Sequence, residues 1–249
     1  MNLKHLTFNK IFLSEIDSTN SFLIDLSKEK ILPNGSIVVT DHQTNGKGQR
    51  GSEWESEKGK NLTFSFILYP HLQANRSFFL NIISSLAVNK VLTDLKLNAK
   101  IKWPNDILIN NKKICGILIE NIISGTKINQ SVIGIGFNIN QSKFKDNINA
   151  TSLKLEGFQL DKEDVIRQIY QYLDFYFDLL LQSNFDLLLN LYYKQMFKFN
   201  LLGDFIDTKN KTFFTAKVLG IDDLGRLKLK LQNNQKVKVF DLKEVKFIL

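Results

Sequence analysis

Gly46-Lys47-Gly48-Gln49-Arg50-Gly51 is the stretch that most restricts what this chain can become. It has the G-x-G-x-x-G spacing, but a dinucleotide-binding unit needs a helix opening directly after its glycines. Here the polar run Ser52 to Lys60 follows, and then the strand-like Leu62 to Tyr69. The β-branched run Ser36 to Thr40 before the loop also reads as a strand. The glycines therefore sit in a loop between strands, which points away from a doubly wound nucleotide fold. The P-loop spacing and the protein-kinase catalytic motifs are absent as well. Glycines let backbone N–H groups come close to a phosphate or carboxylate. Lys47 and Arg50 add positive charge, and a guanidinium can hold two oxygens at once. A solvated, flexible hairpin loop has the same composition, so the loop alone leaves both readings open.

Two further segments carry chemistry-bearing residues. Lys102-Trp103-Pro104-Asn105-Asp106 places a lysine at the end of an apolar strand, and proline biases the residue before it to extended backbone. Such a lysine is a rigidly presented cation, or else a solvated side chain on a surface turn. Gly134-Ile135-Gly136-Phe137-Asn138 puts two glycines in a strand, the mark of close approach by a ligand or of a bulged core strand. The Asn138 amide can both donate and accept, as reading an adenine edge requires. Trp54 and Trp103, the chain's two tryptophans, both fall in these polar segments. Trp54 could stack on a purine ring, and either ring could instead pack its own loop.

The hydrophobic pattern orders the rest of the chain. Ile11 to Ile16 reads as a strand, and Ser18 or Thr19 caps a helix bearing Phe22, Leu23 and Leu26. Asn75 is the expected cap of a long helix with Phe78, Phe79, Ile82, Ile83, Leu86 and Leu92 turned inward. Asn110-Asn111 reads as a turn between the strands Ile107 to Ile109 and Ile114 to Ile123, and Ser131 to Asn138 as a further strand. Asp161 caps a helix bearing Ile166, Ile169, Leu173, Phe177 and Leu180, and a second helix is expected over Phe185 to Phe199. Strands and helices mix without strict alternation, so the class is α+β, a mixed β-sheet packed with helices. After Gly203 short strand-like runs alternate with turns, the pattern of a small SH3-like β-barrel. A boundary near Leu201 thus divides residues 1–200 from 201–249.

Composition narrows the functional classes. The net charge of +8 comes mostly from scattered lysines, with Arg50, Arg76, Arg167 and Arg226 the only arginines, so no basic face for nucleic acid is visible. Cys115 is alone, which rules out an internal disulfide or a Cys-rich zinc cage, and His5, His42 and His71 lie far apart. The apolar stretch Leu173 to Tyr193 is broken by Asp174, Asp178, Gln182, Asn184 and Asp186, so it does not suit a membrane span. No signal-peptide core stands at the N-terminus, and the cytoplasm is the expected compartment.

Taken in order, the segments resemble the biotin–protein ligases. Ser18-Thr19-Asn20 looks like the family's S-T-N. Gln43 with Gly46 to Gly51, Trp54 and Ser56 looks like its glycine–arginine loop, and Asn61-Leu62 and Ser65 fit the strand that follows. Lys102-Trp103-Pro104-Asn105-Asp106 is the most specific piece; Gly116-Ile117-Leu118-Ile119-Glu120 and Gly134 to Asn138 complete the series. The match is close over about Ile11 to Asn140. It departs from the family pattern at Lys47 and Gln49, where arginine is usual: Lys47 keeps the charge without the bidentate fork, and Gln49 loses it. The motifs begin near residue 11, so the resemblance implies the single-function form without an N-terminal DNA-binding domain.

The resemblance implies an ATP-dependent, AMP-forming ligase. It would make biotinyl-5'-AMP from biotin and ATP with Mg²⁺, then pass the biotin to a lysine of a biotin carboxyl carrier protein. Lys102 and Arg50 are implied as catalytic. Biotin is implied at Ser18, Thr19, Asn20, Gln43, Gly46, Lys47, Gly48, Gln49, Lys102 and Gly116, and ATP at Lys47, Arg50, Trp54, Lys102 and Asn138. No metal ligand can be named. No DNA or membrane partner is expected, and a monomer or a homodimer is permitted. The alternatives are a lipoate or octanoate transferase of related fold, and a non-enzymatic biotin-sensing or nucleic-acid-binding module.

Overall fold

The computed structural model describes residues 5–145 and 148–249, with the side chain of Arg50 also outside the described set. The larger sheet is built from β1 (Lys10–Leu13), β2 (Ile37–Thr40), β3 (Leu62–Leu68), β4 (Leu72–Gln73), β5 (Ala99–Lys102), β6 (Asp106–Ile109), β7 (Lys112–Ser124) and β8 (Lys127–Phe137). Its order is β1-β2-β3-β8-β7-β6-β5, with β4 paired to β8. Only β1–β2 is parallel; the other pairs are antiparallel. This is the mixed sheet that the sequence predicts.

The period-two alternation decides what each face covers. On β3, Phe64, Phe66 and Leu68 join the main core with α2 (Phe78–Asp94) and α3 (Lys162–Leu181). Ile67 turns the other way and packs with Val38, Val132 and Leu23 of α1 (Thr19–Glu29). α2 is buried nearly all round because the sheet lies on one side of it and α3 and α4 (Phe185–Gln195) on the other. Asp161 caps α3 by accepting from the N–H groups of Glu163 and Asp164. Between β6 and β7, Asn110 and Asn111 have φ of 49° and 64°, the two positive values that a tight two-residue hairpin turn needs.

Several boundaries differ from the sequence reading: β7 and β8 begin earlier, at Lys112 and Lys127, and three other differences bear on the packing. β1 stops at Leu13, and Ile16 instead makes an isolated parallel bridge to Gln43. Asn75 does not cap α2: it lies in the 3-10 turn Ala74–Arg76, and Ser77 occupies the cap position. α4 ends at Gln195, not Phe199, because Met196 turns extended and pairs beside Ile101 while the Phe197 N–H donates to the Ile101 carbonyl at 2.8 Å. Strand pairing along β5 replaces the last helical turn.

β9 (Leu202–Asp207), β10 (Thr212–Ile221), β11 (Leu227–Leu231), β12 (Val237–Phe240) and β13 (Val245–Phe247) form an antiparallel sheet in the order β12-β11-β10-β9-β13. Its inward residues Phe205, Val218, Leu227 and Leu229 belong to the same apolar cluster as Trp103 and Tyr192. Trp103 is buried, and its indole N–H donates to the Gly225 carbonyl at 2.9 Å. Gly225 has φ +80°, and a Cβ there would collide with the Phe78 ring, so the joint admits only glycine. Among the described residues no helix is long and apolar enough to cross a membrane.

Trp103→Phe should lower stability by about 1–3 kcal/mol, because the buried Gly225 carbonyl is left without its donor. Guanidinium unfolding at 25 °C checks this; an unchanged midpoint and slope would mean that the joint contributes nothing.

Candidate active site

The face of the sheet covered by α1 is stripped of side chains at three neighbouring positions. Gly116 on β7 pairs with Gly136 on β8, and Gly134 pairs with Leu118 of β7 and Ser65 of β3. A Cβ on Gly134 would collide with the Asn20 amide, and one on Gly136 with the Trp54 ring. A Cβ on Gly116 would lie 2.9 Å from the Lys113 Nζ. The glycines open a cavity of about 280 Å³ between the sheet, the start of α1 and the glycine loop.

One end of the cavity is a hydrogen-bond chain. Ser18 caps α1, its hydroxyl accepting from the Ser21 N–H at 3.5 Å. The Thr19 N–H donates to Gln43 Oε1 at 2.8 Å, and Thr19 Oγ1 lies 3.0 Å from the same oxygen and 2.6 Å from Ser65 Oγ. Ser65 donates to Asn20 Oδ1 at 2.5 Å, and Asn20 Nδ2 donates to Glu120 Oε2 at 2.7 Å. Ser18, Thr19, Asn20 and Ser65 are all buried.

The glycine loop forms the rim. The Trp54 N–H donates to the Gly46 carbonyl at 2.9 Å and the Gly48 N–H to the Ser52 carbonyl at 2.7 Å, closing a small hairpin around the 3-10 turn Gln49–Gly51. Lys47, Gly48 and Gln49 line the cavity, whereas Gly46 is buried behind the rim, where a Cβ would collide with the Trp54 carbonyl. Lys47 is exposed and reaches back to Ser21 Oγ at 2.8 Å. The side chain of Arg50 lies outside the described residues.

The other end is cationic. Asp106 accepts from Lys113 at 2.6 Å on one oxygen and from Lys102 on the other. Burial would raise the Asp106 carboxyl, but the ammonium groups of Lys113 and Lys102 outweigh it and hold the group below the usual carboxylate range. The Asn105 amide ties the turn to β7 by donating to the Ile117 carbonyl at 2.6 Å. Lys102 itself does not line the cavity: β5 and β6 pair Lys102 with Asp106, and its ammonium is turned onto that carboxylate. Lys113 lines the cavity instead, 5.7 Å from the centre of the Trp54 ring.

Trp54 also borders a second cavity of about 380 Å³, which Asn138 and Lys113 line. The Asn138 amide donates to the Thr151 carbonyl at 3.0 Å through its nitrogen, so its oxygen is the atom left to accept. Among the described residues the buried Trp54 Nε1 has no hydrogen-bond partner. Ser18, Thr19, Asn20, Gln43, Lys47, Gly48, Gln49, Trp54 and Gly116 therefore meet around one cavity, while Lys102, Gly46 and Asn138 stand outside its lining.

Four residues to which the sequence assigned no site role belong to this neighbourhood: Asp106 and Ser65, quoted there only as motif residues, and Lys113 and Lys243. Lys113 is brought in by a β-bulge between β6 and β7, where Asp106 pairs with Gly116 but Leu108 pairs with Lys113. In a regular strand residues 113 and 116 would face opposite sides; the extra residue puts them on one side. Lys243 comes from the turn between β12 and β13, nearly 130 residues further along the chain, so no local signal marks it. A polar end that gives and takes hydrogen bonds, joined to a cationic end, suits a small ligand with a polar ring and an anionic tail.

Residues 12–138 match the family model described as "Biotin/lipoate A/B protein ligase family". The bifunctional ligase/repressor BirA of Bacillus spizizenii is 32% identical over 235 residues, covering 91% of this chain and 70% of that protein. The biotin–[acetyl-CoA-carboxylase] ligase of Paracoccus denitrificans is 33% identical over 130 residues, 51% of this chain and 53% of its own length. The fold matches that of the biotin protein ligase from Aquifex aeolicus in complex with biotin and ATP, with a TM-score of 0.77 at 24% identity over 96% of this chain and 98% of that one.

Gly136→Ala should push the Trp54 ring off the sheet. In a Trp103→Phe background, where Trp54 is the sole indole emitter, its emission should shift to the red and acrylamide should quench it more strongly. An unchanged spectrum in a folded variant would contradict the packing of Trp54 on Gly136.

Proposed function

This chain belongs to the Biotin/lipoate A/B protein ligase family, and we propose on that premise that it joins biotin to ATP as biotinyl-5'-AMP and transfers the biotinyl group to a lysine of a biotin carboxyl carrier protein. The observation that carries the reading is the two-ended cavity, polar at Thr19, Asn20 and Gln43 and cationic at Lys113, with Trp54 between it and a second space. Biotin has matching ends: a cyclic urea that both donates and accepts, and a carboxylate on an apolar chain.

In the first step a carboxylate oxygen attacks the α-phosphorus of ATP, and pyrophosphate leaves with the electron pair of the broken P–O bond. Two anions must meet, so the obstacle is electrostatic. Lys113 is the cation suited to that junction; Asp106 holds its ammonium at the cavity's edge, and Lys102 holds the other oxygen of Asp106. The role that the resemblance gives to Lys102 thus becomes one of positioning through Asp106. Lys47 and Lys243 supply further positive charge along the phosphates. The adenine fits beside Trp54 in the second cavity, where the Asn138 oxygen can accept from an exocyclic amine.

Among the described residues no group of three or more His, Cys, Asp or Glu side chains could hold a metal. Mg²⁺, when bound with ATP, would neutralise part of the phosphates' charge. In the second step a neutral carrier amine attacks the acyl carbon of the mixed anhydride, an amide forms, and AMP leaves. The carrier is of the carboxylase class, by analogy with the name of the Paracoccus relative.

Incubation with biotin, ATP, Mg²⁺ and a carrier domain should raise the carrier's mass by one biotinyl group, and equimolar lipoate should not compete. A carrier of unchanged mass, or one modified by lipoate in preference, overturns the reading. Lys113→Ala should slow biotin-dependent pyrophosphate release at least ~100-fold, the scale for losing one preorganised charge. Lys102→Ala should cost less, since Asp106 keeps Lys113 as a partner. The reverse order of effects would return the junction to Lys102.

A further inference from the structure

Glu120 does not line the cavity, yet it ends the hydrogen-bond chain that forms the cavity's polar end. An ionised carboxylate only accepts, so the Asn20 atom that faces Glu120 must be the NH₂ group. The oxygen of that amide then faces Ser65 and draws the Ser65 proton. At the opposite end the Thr19 backbone N–H, which can only donate, fixes Oε1 of Gln43 as its acceptor.

Both amides are thus oriented by partners of unambiguous polarity, and two hydroxyl groups lie between them. Three oxygen–oxygen contacts join the chain: Gln43 to Thr19 at 3.0 Å, Thr19 to Ser65 at 2.6 Å, and Ser65 to Asn20 at 2.5 Å. Thr19 and Ser65 bring one proton each. One contact stays without a hydrogen whichever way Thr19 turns its hydroxyl. The three contacts are one proton short, so a ligand N–H finds an acceptor at Thr19 or Asn20, while a ligand carbonyl finds its donor at the Gln43 NH₂ and meets lone pairs if placed at Thr19 or Asn20.

We propose that Glu120 is a positioning residue for ligand choice: it locks the Asn20 amide with its oxygen toward Ser65, and so makes this end of the cavity select a ring that presents N–H groups. This rests on the reading of biotin as substrate, whose cyclic urea presents two. Reversing the polarity at position 120 would reverse the chain. With a donor there, Asn20 turns over and its NH₂ faces Ser65, the Ser65 proton passes to Thr19, and the Thr19 proton passes to Gln43. All three oxygen contacts of the chain then hold a hydrogen, and the call for a ligand N–H is gone; the cost is the long 3.5 Å bond from the Asn20 NH₂ to the Leu118 carbonyl, which the turned amide gives up.

The test compares the intact chain with Glu120→Lys and Glu120→Gln. Titration calorimetry would use biotin and an analogue whose two ring N–H groups are replaced by oxygen. The unsubstituted protein should prefer biotin by at least about tenfold, the scale of one or two hydrogen bonds. Glu120→Lys should weaken biotin about tenfold and shrink that preference, with the KM for ATP and the melting temperature unchanged. Glu120→Gln, whose amide can turn either atom to Asn20, should fall between the two, and it decides the matter if the lysine variant does not fold. A folded Lys or Gln variant with unaltered preference overturns the proposal, as does an equal loss for both ligands with a lower melting temperature. An unsubstituted protein that binds no biotin sinks the substrate reading, and this inference with it.

Discussion

Asp106 presents one carboxylate oxygen to Lys113 and the other to Lys102, so the β5–β6 and β6–β7 pairings meet at a single anion. Two partly buried ammonium groups this close would repel one another strongly without it, because screening by solvent is weak there. With Asp106 between them the group of three carries one net positive charge at the cavity's edge. An arriving carboxylate or phosphate can then compete for Lys113 without stripping a cation from bulk water. The turn that supplies Asp106 is held in register by Asn105, which explains why a short segment beside Pro104 matters more than its length suggests.

At the other end the governing constraint is missing volume. Gly116, Gly134 and Gly136 leave the sheet bare where the Asn20 amide and the Trp54 indole lie against it. A protein interior is close-packed, so such a gap is held open only if the elements around it are fixed elsewhere. α1 is anchored by Leu23 against Val38, Ile67 and Val132, and the glycine loop is closed on itself by Gly46 and Trp54. The polar chain from Gln43 to Glu120 then takes its geometry from strands already pinned by the core.

Much of this was legible in the sequence because it rests on local rules. The strand at β3, the Asp161 cap and the Asn110-Asn111 turn follow from strand-forming residues, capping chemistry and tolerance of positive φ. The glycines of β8 announced close approach, although not by what. The misses came from tertiary pairing. Lys113 looks like a solvated lysine until the bulge beside Ile114 changes its face, and Lys102 looks free until Asp106 is seen opposite it. The last turn of α4 has helical residues but yields to pairing beside Ile101. Lys243 and the Trp103–Gly225 bond depend on a second sheet whose docking has no signature in either segment alone.

That same departure of Met196 and Phe197 from the helix bears on how copies of this chain behave when crowded. A sheet ends in two strands whose outward N–H and C=O groups can recruit another molecule and seed aggregation. At β5 the protein's own backbone occupies part of that border, engaging the Ile101 carbonyl before a neighbour can. At the opposite border β1 is only four residues long, and its first residue, Lys10, is held in an ion pair with Glu163. One rim is blunted by a covering segment and the other by brevity and charge, which disfavours runaway sheet-to-sheet growth without adding a single residue to the cavity.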